Sequence, residues 1–329
     1  MYYFYLPAGT FDVSEFYDNI IRKSIELRGE SVKIVDKINQ IPKHSKIFTD
    51  YDRYCVDVLL KCKPKAVVNW FQGVNPEETY LLHKGTLLSR VRFLAHRCME
   101  RYAIRRTAFN LFVSNAMLQH YRAVYGYKGD NYFIMPCFNT TLNENVFNSE
   151  RYTAPKFVYA GSMSAWQCID ETLKLFNLIK KEVPGATLDI YTAERDKALA
   201  LCKKYGVEAK IDCVKACELE NRLKKYKYGF IVRDDSIINR VATPTKLSNY
   251  MGAGLIPVFS DSISAYKENI AVNNPFAISF NNNEEAVNKI VRLERSTIDL
   301  EAIERTYKEI FQRYWNEQSY IEQLSKVLP

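Results

Sequence analysis

The sequence predicts an α/β protein made of two sheet-and-helix domains in tandem, closed by a helical tail. Short apolar runs alternate with amphipathic stretches, the rhythm of a parallel sheet wrapped by helices. That rhythm stops after Phe138, in the polar residues 139–155, which read as a linker, and restarts at Phe157. From about Ile298 the chain reads as one or two long helices, with Phe311, Tyr314 and Trp315 on an apolar side. A length of 329 residues suits two domains of ordinary size.

The elements follow in order. Residues 1–6 (MYYFYL) form a strand that stops at Pro7-Ala8-Gly9. Asp12 or Ser14 then caps a helix reaching about Arg28, with Glu15 three residues after Asp12 as in a capping box. Gly29 ends it, and residues 31–35 form the next strand. AVVNWF at 66–71 is the strongest strand of this half, followed by a loop with Gly73 and Pro76. Residues 109–114 and 131–136 supply two more. In the second half, strands are expected at 157–160, 187–192, 228–232 and 256–260. Helices are expected at about 167–182, 194–205 and 245–251, with Gly206 and Gly254 as stops. No repeat at a solenoid period is present.

Composition excludes several classes. Hydrophobic residues make up 47% of the chain, with 23 Tyr and 18 Phe, so disorder, collagen and low complexity are ruled out. No apolar run approaches the roughly 20 residues of a spanning helix, and the amino-terminal residues lack the basic leader of a secretory signal. The eight cysteines contain no C-x-x-C, and the four histidines do not sit beside them. This pattern implies a reduced, cytoplasmic chain without a metal site. The net charge of +8 raises nucleic-acid binding. Its bases cluster in one amphipathic stretch and no recognition motif is present, so no nucleic-acid partner is expected.

Three features of the second half bear on chemistry. Tyr159-Ala160-Gly161-Ser162 is a glycine turn at a strand end, suited to close approach by an anion or to an ordinary strand–helix turn. It is not a G-x-G-x-x-G, so nicotinamide binding is unsupported. Arg233, in VRDDS after an apolar strand, suits a phosphate clamp or a salt bridge to a nearby acid. In TPTKLSNYMGAGLIPV, Thr243 or Thr245 caps a helix with Pro244 in its first turn. Lys246 adds an ammonium at the same end. The combination suits a diphosphate, or simply a well-capped helix, and Gly252 and Gly254 let it lie close to the sheet.

YAGSMSAWQ, the strand ending in RDDS, and TPTKLSNYMGAGLIPV together resemble the donor domain of family-4 nucleotide-sugar glycosyltransferases. The nearest branch assembles polysaccharide, O-antigen and capsule and carries P-T-K-L-x-E-Y-M-x-x-G. WFQGVNPEE and the F-V-S-N strand end are similar to the acceptor domain. The resemblance implies a GT-B fold, two Rossmann-like domains facing across a cleft with a C-terminal crossover helix. Residues 1–150 would bind the acceptor, 151–300 the donor, and 301–329 would pack back on the first domain. It implies a retaining transfer from a nucleoside diphosphate sugar to a glycan or lipid-linked acceptor in bacterial surface polysaccharide synthesis. The enzyme would be cytoplasmic, at the inner face of the membrane, and would need neither cofactor nor metal.

The resemblance places Gly161 and Ser162 near the donor diphosphate. Thr243, Thr245 and Lys246 fall at the helix start that holds the phosphates, and Arg233 on the diphosphate or sugar. Arg233 and Lys246 would stabilise the leaving group. Asn249 stands where a ribose-binding Glu is usual, and Val241 where a second Glu contacts the sugar. Ala165-Trp166-Gln167 replaces a basic pair. These departures sustain a second reading, a catalytically impaired nucleotide-sugar-binding protein on the same fold.

On the acceptor side, Asn69, Gln72, Asn75, Glu77 and Glu78 gather at the end of the strongest strand. Gln72, Asn75 and Glu77 are candidates for acceptor hydroxyls, with Glu77 orienting the attacking one. Alternatively Glu77 and Glu78 open the helix after Pro76 by favourable dipole placement. Asp50-Tyr51-Asp52 has the D-x-D spacing of metal-dependent transferases, but reads as a solvated turn. Residues 84–106 hold seven bases and one acid, a net of 7 − 1 = +6. Leu87, Leu88, Val91, Leu94, Ala95, Cys98, Met99 and Tyr102 recur there at helical spacing. The stretch reads as a core-packed helix with a solvated basic face, or as a peripheral membrane contact.

Overall fold

A computed structural model describes residues 1–7, 11–83 and 86–329, the side chains of residues 11–13 and 216 excepted. The stop at Ala8-Gly9, the Asp12 cap and Lys84 lie outside the described residues. The chain divides into two compact units: Met1–Phe138 with Val241–Thr243 and Asn316–Pro329, and Asn139–Arg240 with Pro244–Trp315.

The first unit runs β1 (Tyr2–Tyr5), α1 (Phe11–Leu27), β2 (Val32–Val35), β3 (Lys46–Thr49), α2 (Asp52–Lys61) and β4 (Ala66–Phe71). It continues with α3 (Asn75–Leu82), α4 (Leu87–Arg106), β5 (Phe109–Phe112), α5 (Asn115–Tyr125) and β6 (Tyr132–Ile134). Its strands pair in parallel in the order β2-β1-β3-β4-β5-β6. β4 and β5 are continuous apolar runs because a central parallel strand is covered on both faces. Trp70 meets Tyr17 edge-on, and Phe71, Phe112 and Tyr121 close the far side. Ser114 caps α5 by accepting from Met117 N, and Gly126 at φ 66° ends it. The sequence passed from β1 to β2 and then back to β3, so the order reverses between β1 and β3.

The second unit holds β7 (Lys156–Ala160), α6 (Ile169–Glu182), β8 (Thr187–Tyr191), α7 (Arg195–Tyr205), β9 (Ala209–Asp212), α8 (Ala216–Leu223) and β10 (Tyr228–Ile231). After α9 (Ile237–Val241) come α10 (Lys246–Gly252), β11 (Ile256–Ser260), α11 (Ser264–Tyr266), β12 (Ile278–Phe280), α12 (Asn283–Glu294) and α13 (Leu300–Tyr314). The parallel order is β12-β11-β10-β7-β8-β9, with its reversal between β7 and β10. In open α/β sheets such a reversal opens a crevice at the strands' carboxyl ends, where ligands bind.

Two features depart from the sequence expectation. Residues 139–155 are packed against the second unit. Asn143 N donates to Gly252 O at 3.0 Å, and Val146, Arg151 and Tyr152 are buried. The tail also divides. α13 lies with the second unit, where Trp315 packs on Phe311 and Tyr266. The last helix, α14 (Glu317–Val327), lies with the first, where Lys23 Nζ reaches Glu317 at 2.6 Å and Tyr2 donates to the Pro329 carbonyl. Among the described residues no helix is long and apolar enough to cross a membrane.

Candidate functional site

The reversal point of the second unit gathers two cations. β7 ends at Ala160, and Gly161 follows at φ 149°. A Cβ at Gly161 would lie 2.4 Å from Lys246 Cε and Nζ, so the lysine could not keep this position across the turn beside a larger residue. β10 ends at Ile231, two residues before the buried Arg233. Lys246 Nζ donates to Gln167 Oε1 at 2.5 Å and to Tyr159 Oη at 2.9 Å, and it stands 4.2 Å from the Tyr159 ring centroid. Arg233 Nη2 donates to the same Gln167 oxygen at 2.6 Å, and its Nη1 to the Gln167 carbonyl at 2.9 Å.

Two positive groups therefore share one neutral amide oxygen. Neither pairs with a carboxylate among the described residues. The neighbouring acids are engaged elsewhere: Asp234 accepts from Ser236 and Asn239, and Asp235 pairs with Arg240 at 2.5 Å. The alternative of an Arg233 salt bridge is thus not realised. Withdrawal from water, with Arg233 beside it, holds the Lys246 ammonium well below the usual lysine range. Burial likewise lowers Arg233. An anion seated here would relieve both the desolvation and the mutual repulsion. A cavity of about 510 Å³ opens beside Arg233 beyond the ends of β10, β11 and β12, lined also by Glu171, Asp234, Ser260 and Asp261.

Gly161, Arg233 and Lys246 are thus brought together. Ser162 is adjacent, its carbonyl accepting from Tyr159 and its hydroxyl 3.0 Å from Ser164 Oγ. Asn249 is one turn along α10 from Lys246 and half-buried. The threonines depart from expectation. Thr245 sits at φ −57°, ψ −18° and makes no side-chain cap, because a cap needs extended backbone. Its carbonyl instead accepts from Ser248 Oγ. Thr243 groups with the first unit, where its buried hydroxyl accepts from Cys137 N at 3.0 Å. Val241 groups there too. Gln167 was legible only as the absence of a base, yet it is the common acceptor of the site.

In the first unit a cavity of about 410 Å³ lies beyond the carboxyl ends of β3 and β4. Gln72 and Asn75 line it; Glu77 does not. Glu77 Oε1 lies 3.8 Å from both Arg97 Nη1 and His120 Nε2. Burial raises the Glu77 carboxyl, and burial with Arg97 pushes His120 down to about 4. Glu78 reaches back and accepts from Val74 N at 3.2 Å, which caps the start of α3. Asp50 and Asp52 do not form a solvated turn. Asp52 is 1% exposed, accepts from Arg53 N at 2.7 Å and lies 3.1 Å from His96 Nδ1, which ties α2 to α4. Burial pushes Asp50 up to about 6. Glu100 of α4, also buried, accepts from Asn75 N at 3.2 Å and Tyr125 Oη at 2.6 Å, and burial raises it to about 8.

α4 itself overturns the core expectation. Leu87, Leu88, Val91 and Leu94 are exposed, Leu87 by 79% and Leu94 by 61%, and its buried residues are Ser89, Glu100, Ala103 and Ile104.

No family model and no curated protein matches the chain. Solved structures do. TarM of S. aureus, in complex with Fondaparinux, alpha-GlcNAc-glycerol and UDP, superposes with a TM-score of 0.65 at 14% identity, covering 88% of this chain and 57% of its own. The pneumococcal O-GlcNAc transferase GtfA, in complex with UDP and GlcNAc, gives 0.62 at 13%, covering 88% and 58%. A UDP-forming alpha,alpha-trehalose-phosphate synthase from Burkholderia xenovorans, in complex with glucose-6-phosphate, gives 0.65 at 10%, covering 95% and 78%. The chain spans little more than half the length of the first two. The likeness is one of fold: two Rossmann-like domains of the GT-B class, each on a six-stranded parallel sheet.

Proposed function

We propose that the chain is a retaining glycosyltransferase, moving a sugar from a nucleoside diphosphate sugar to a glycan or lipid-linked acceptor of a bacterial surface polysaccharide. One observation carries this reading: Arg233 and Lys246, without a carboxylate partner, converge on Gln167 Oε1 at the reversal point of the second sheet. The donor diphosphate takes the place of that amide as their acceptor. Gly161 and Ser162 leave room for the phosphates, and Asn249 bonds a ribose hydroxyl. The acceptor hydroxyl approaches from the face of the departing diphosphate, whose oxygen takes the proton. Arg233 and Lys246 stabilise the charge that develops on it. Gln72 and Asn75 contact the acceptor, while Glu77 lies outside that cavity, 3.8 Å from Arg97 and His120. In this reading the first unit binds the acceptor and the second, which takes in residues 139–155, binds the donor.

Thermal melting against nucleoside diphosphates, monophosphates and nucleotide sugars tests this. A diphosphate at a hundred times its dissociation constant adds about 2.7 kcal/mol, and the monophosphate adds less. Absence of any shift with every diphosphate rejects the reading. Binding without transfer or donor hydrolysis assigns the chain to the non-catalytic alternative.

The exposed stripe Leu87, Leu88, Val91, Leu94 and Ala95, flanked by the exposed Arg90, Arg92, Arg101, Arg105 and Arg106, suits the anionic inner face of a membrane. Each base near such a surface contributes about 1 kcal/mol. The chain is expected to sediment with phosphatidylglycerol vesicles, to stay in solution with phosphatidylcholine vesicles, and to be released by Leu87→Glu combined with Leu94→Glu. Equal recovery of parent and double variant would remove the membrane contact.

A further inference from the structure

The cavity of the first unit has a chemical character of its own. It sits at the reversal point between β1 and β3, the crevice position for a ligand. Its lining residues include Tyr17, Tyr51, Tyr54, Trp70 and Phe71, of which Tyr51 and Tyr54 are partly exposed. Its acids are Asp50, Asp52 and Glu78, and among the described residues no Lys, Arg or His lines it, although the chain carries a net +8. Three of its lining atoms are buried with no hydrogen-bond partner among the described residues: Asp50 Oδ1, Gln72 Nε2 and Trp70 Nε1.

We infer that this cavity seats the accepting sugar and takes a neutral or amine-bearing glycosyl unit in preference to an anionic one. The inference rests on the glycosyl-transfer reading and adds the charge class of the acceptor to it. A volume of about 410 Å³ holds one sugar ring with a few waters. Aromatic walls match the apolar C–H faces of a sugar. Two unused donors and one unused acceptor match hydroxyl groups, which both give and take hydrogen bonds. Behind the wall Asp18 is buried and bonded to Ser14, with Oδ1 unpartnered. Burial and the nearby Asp50 raise Asp18 to about 8, so it is mostly protonated near pH 7. His96, at Asp52, is the one base in direct contact with a lining acid of this wall among the described residues. An ammonium meets the Asp50 carboxylate, with which no base pairs among the described residues, whereas a phosphate or carboxylate finds no cation among the described lining residues. The diphosphate of a lipid-linked acceptor would lie outside this pocket.

The test is direct binding of free sugars to the full chain in the presence of UDP, read by ligand-observed NMR. The panel is glucosamine, N-acetylglucosamine, glucuronic acid and glucose-6-phosphate. Glucosamine is expected to bind at least tenfold more tightly than either anionic sugar. Asp50→Asn should bring glucosamine down to the level of N-acetylglucosamine and leave UDP affinity unchanged, which also reports an intact fold. Gln72→Ala should weaken both. Equal binding of the anionic sugars, or a preference untouched by Asp50→Asn, overturns the inference. UDP binding with no sugar binding overturns it while the transfer reading stands. The same sugar preference without any UDP binding keeps the specificity of the cavity and removes the transfer reading.

Discussion

A Lys246→Met chain is expected to fold at least as stably as its parent and to lose 100- to 1000-fold in turnover with a nucleotide-sugar donor. The two halves of that result have one origin. The ammonium is held out of water beside Arg233, with one neutral oxygen and one phenol as its partners. Methionine fills similar volume and removes the unpaired charge, so stability does not fall. Loss of a preorganised donor to the developing charge costs about 2.7–4 kcal/mol in the transition state. The pH dependence follows in sign. The folded lysine binds its proton less tightly than the unfolded one. Parent stability therefore rises with pH, from the depressed folded value up to the ordinary lysine range. A bound diphosphate pulls the proton back, so UDP affinity falls as pH rises, and Lys246→Met removes both slopes. Gly161→Ala is the companion variant: it keeps every charge but places Cβ 2.4 Å from Lys246 Nζ. It should lose affinity nearly as far. Full turnover in Lys246→Met would take the lysine out of the site.

How much of this was legible depends on where the signal lies. β4 and β11 were readable because strands covered on both faces are unbroken apolar runs. β9 (AKID) and β12 (ISF) escaped because short edge strands carry too few apolar residues to stand out from loops. Gly161, Arg233 and Lys246 could be picked from the sequence, since each follows a strand or starts a helix. Gln167 could not, because its role arises only where three segments converge on its side chain. Periodicity found the apolar face of α4 but not what covers it; that depends on tertiary packing, and its first turns are left bare. The same limit hid Asp52, a carboxylate that read as part of a solvated turn and that the fold placed under α4.

Residues 139–155, polar enough to read as a linker, carry the largest expected stability effect. Arg151 is buried, and its guanidinium reaches three backbone carbonyls: Val146 at 3.1 Å, Ala253 at 2.5 Å and Tyr226 at 2.8 Å. It thereby ties this segment to the end of α10, which carries Lys246, and to the approach of β10, which leads to Arg233. The fit is close, since a Cβ on Gly254, at φ 77°, would stand 2.6 Å from Arg151 Nη1. Tyr152 completes the clamp by donating to Gly254 O at 2.7 Å. Arg151→Ala strands three buried carbonyls and opens a void, at a cost of about 3–5 kcal/mol. For a unit of this size the melting temperature should fall by roughly 6–20 °C. Arg151→Met fills the void without restoring the bonds, so its loss should be smaller but still clear. UDP affinity measured well below the transition should change only a few-fold, because the clamp holds α10 in place without touching the phosphates. A melting temperature within 2 °C of the parent in Arg151→Ala would mean that water replaces the guanidinium at no cost and that the segment is the loose connection its composition suggests.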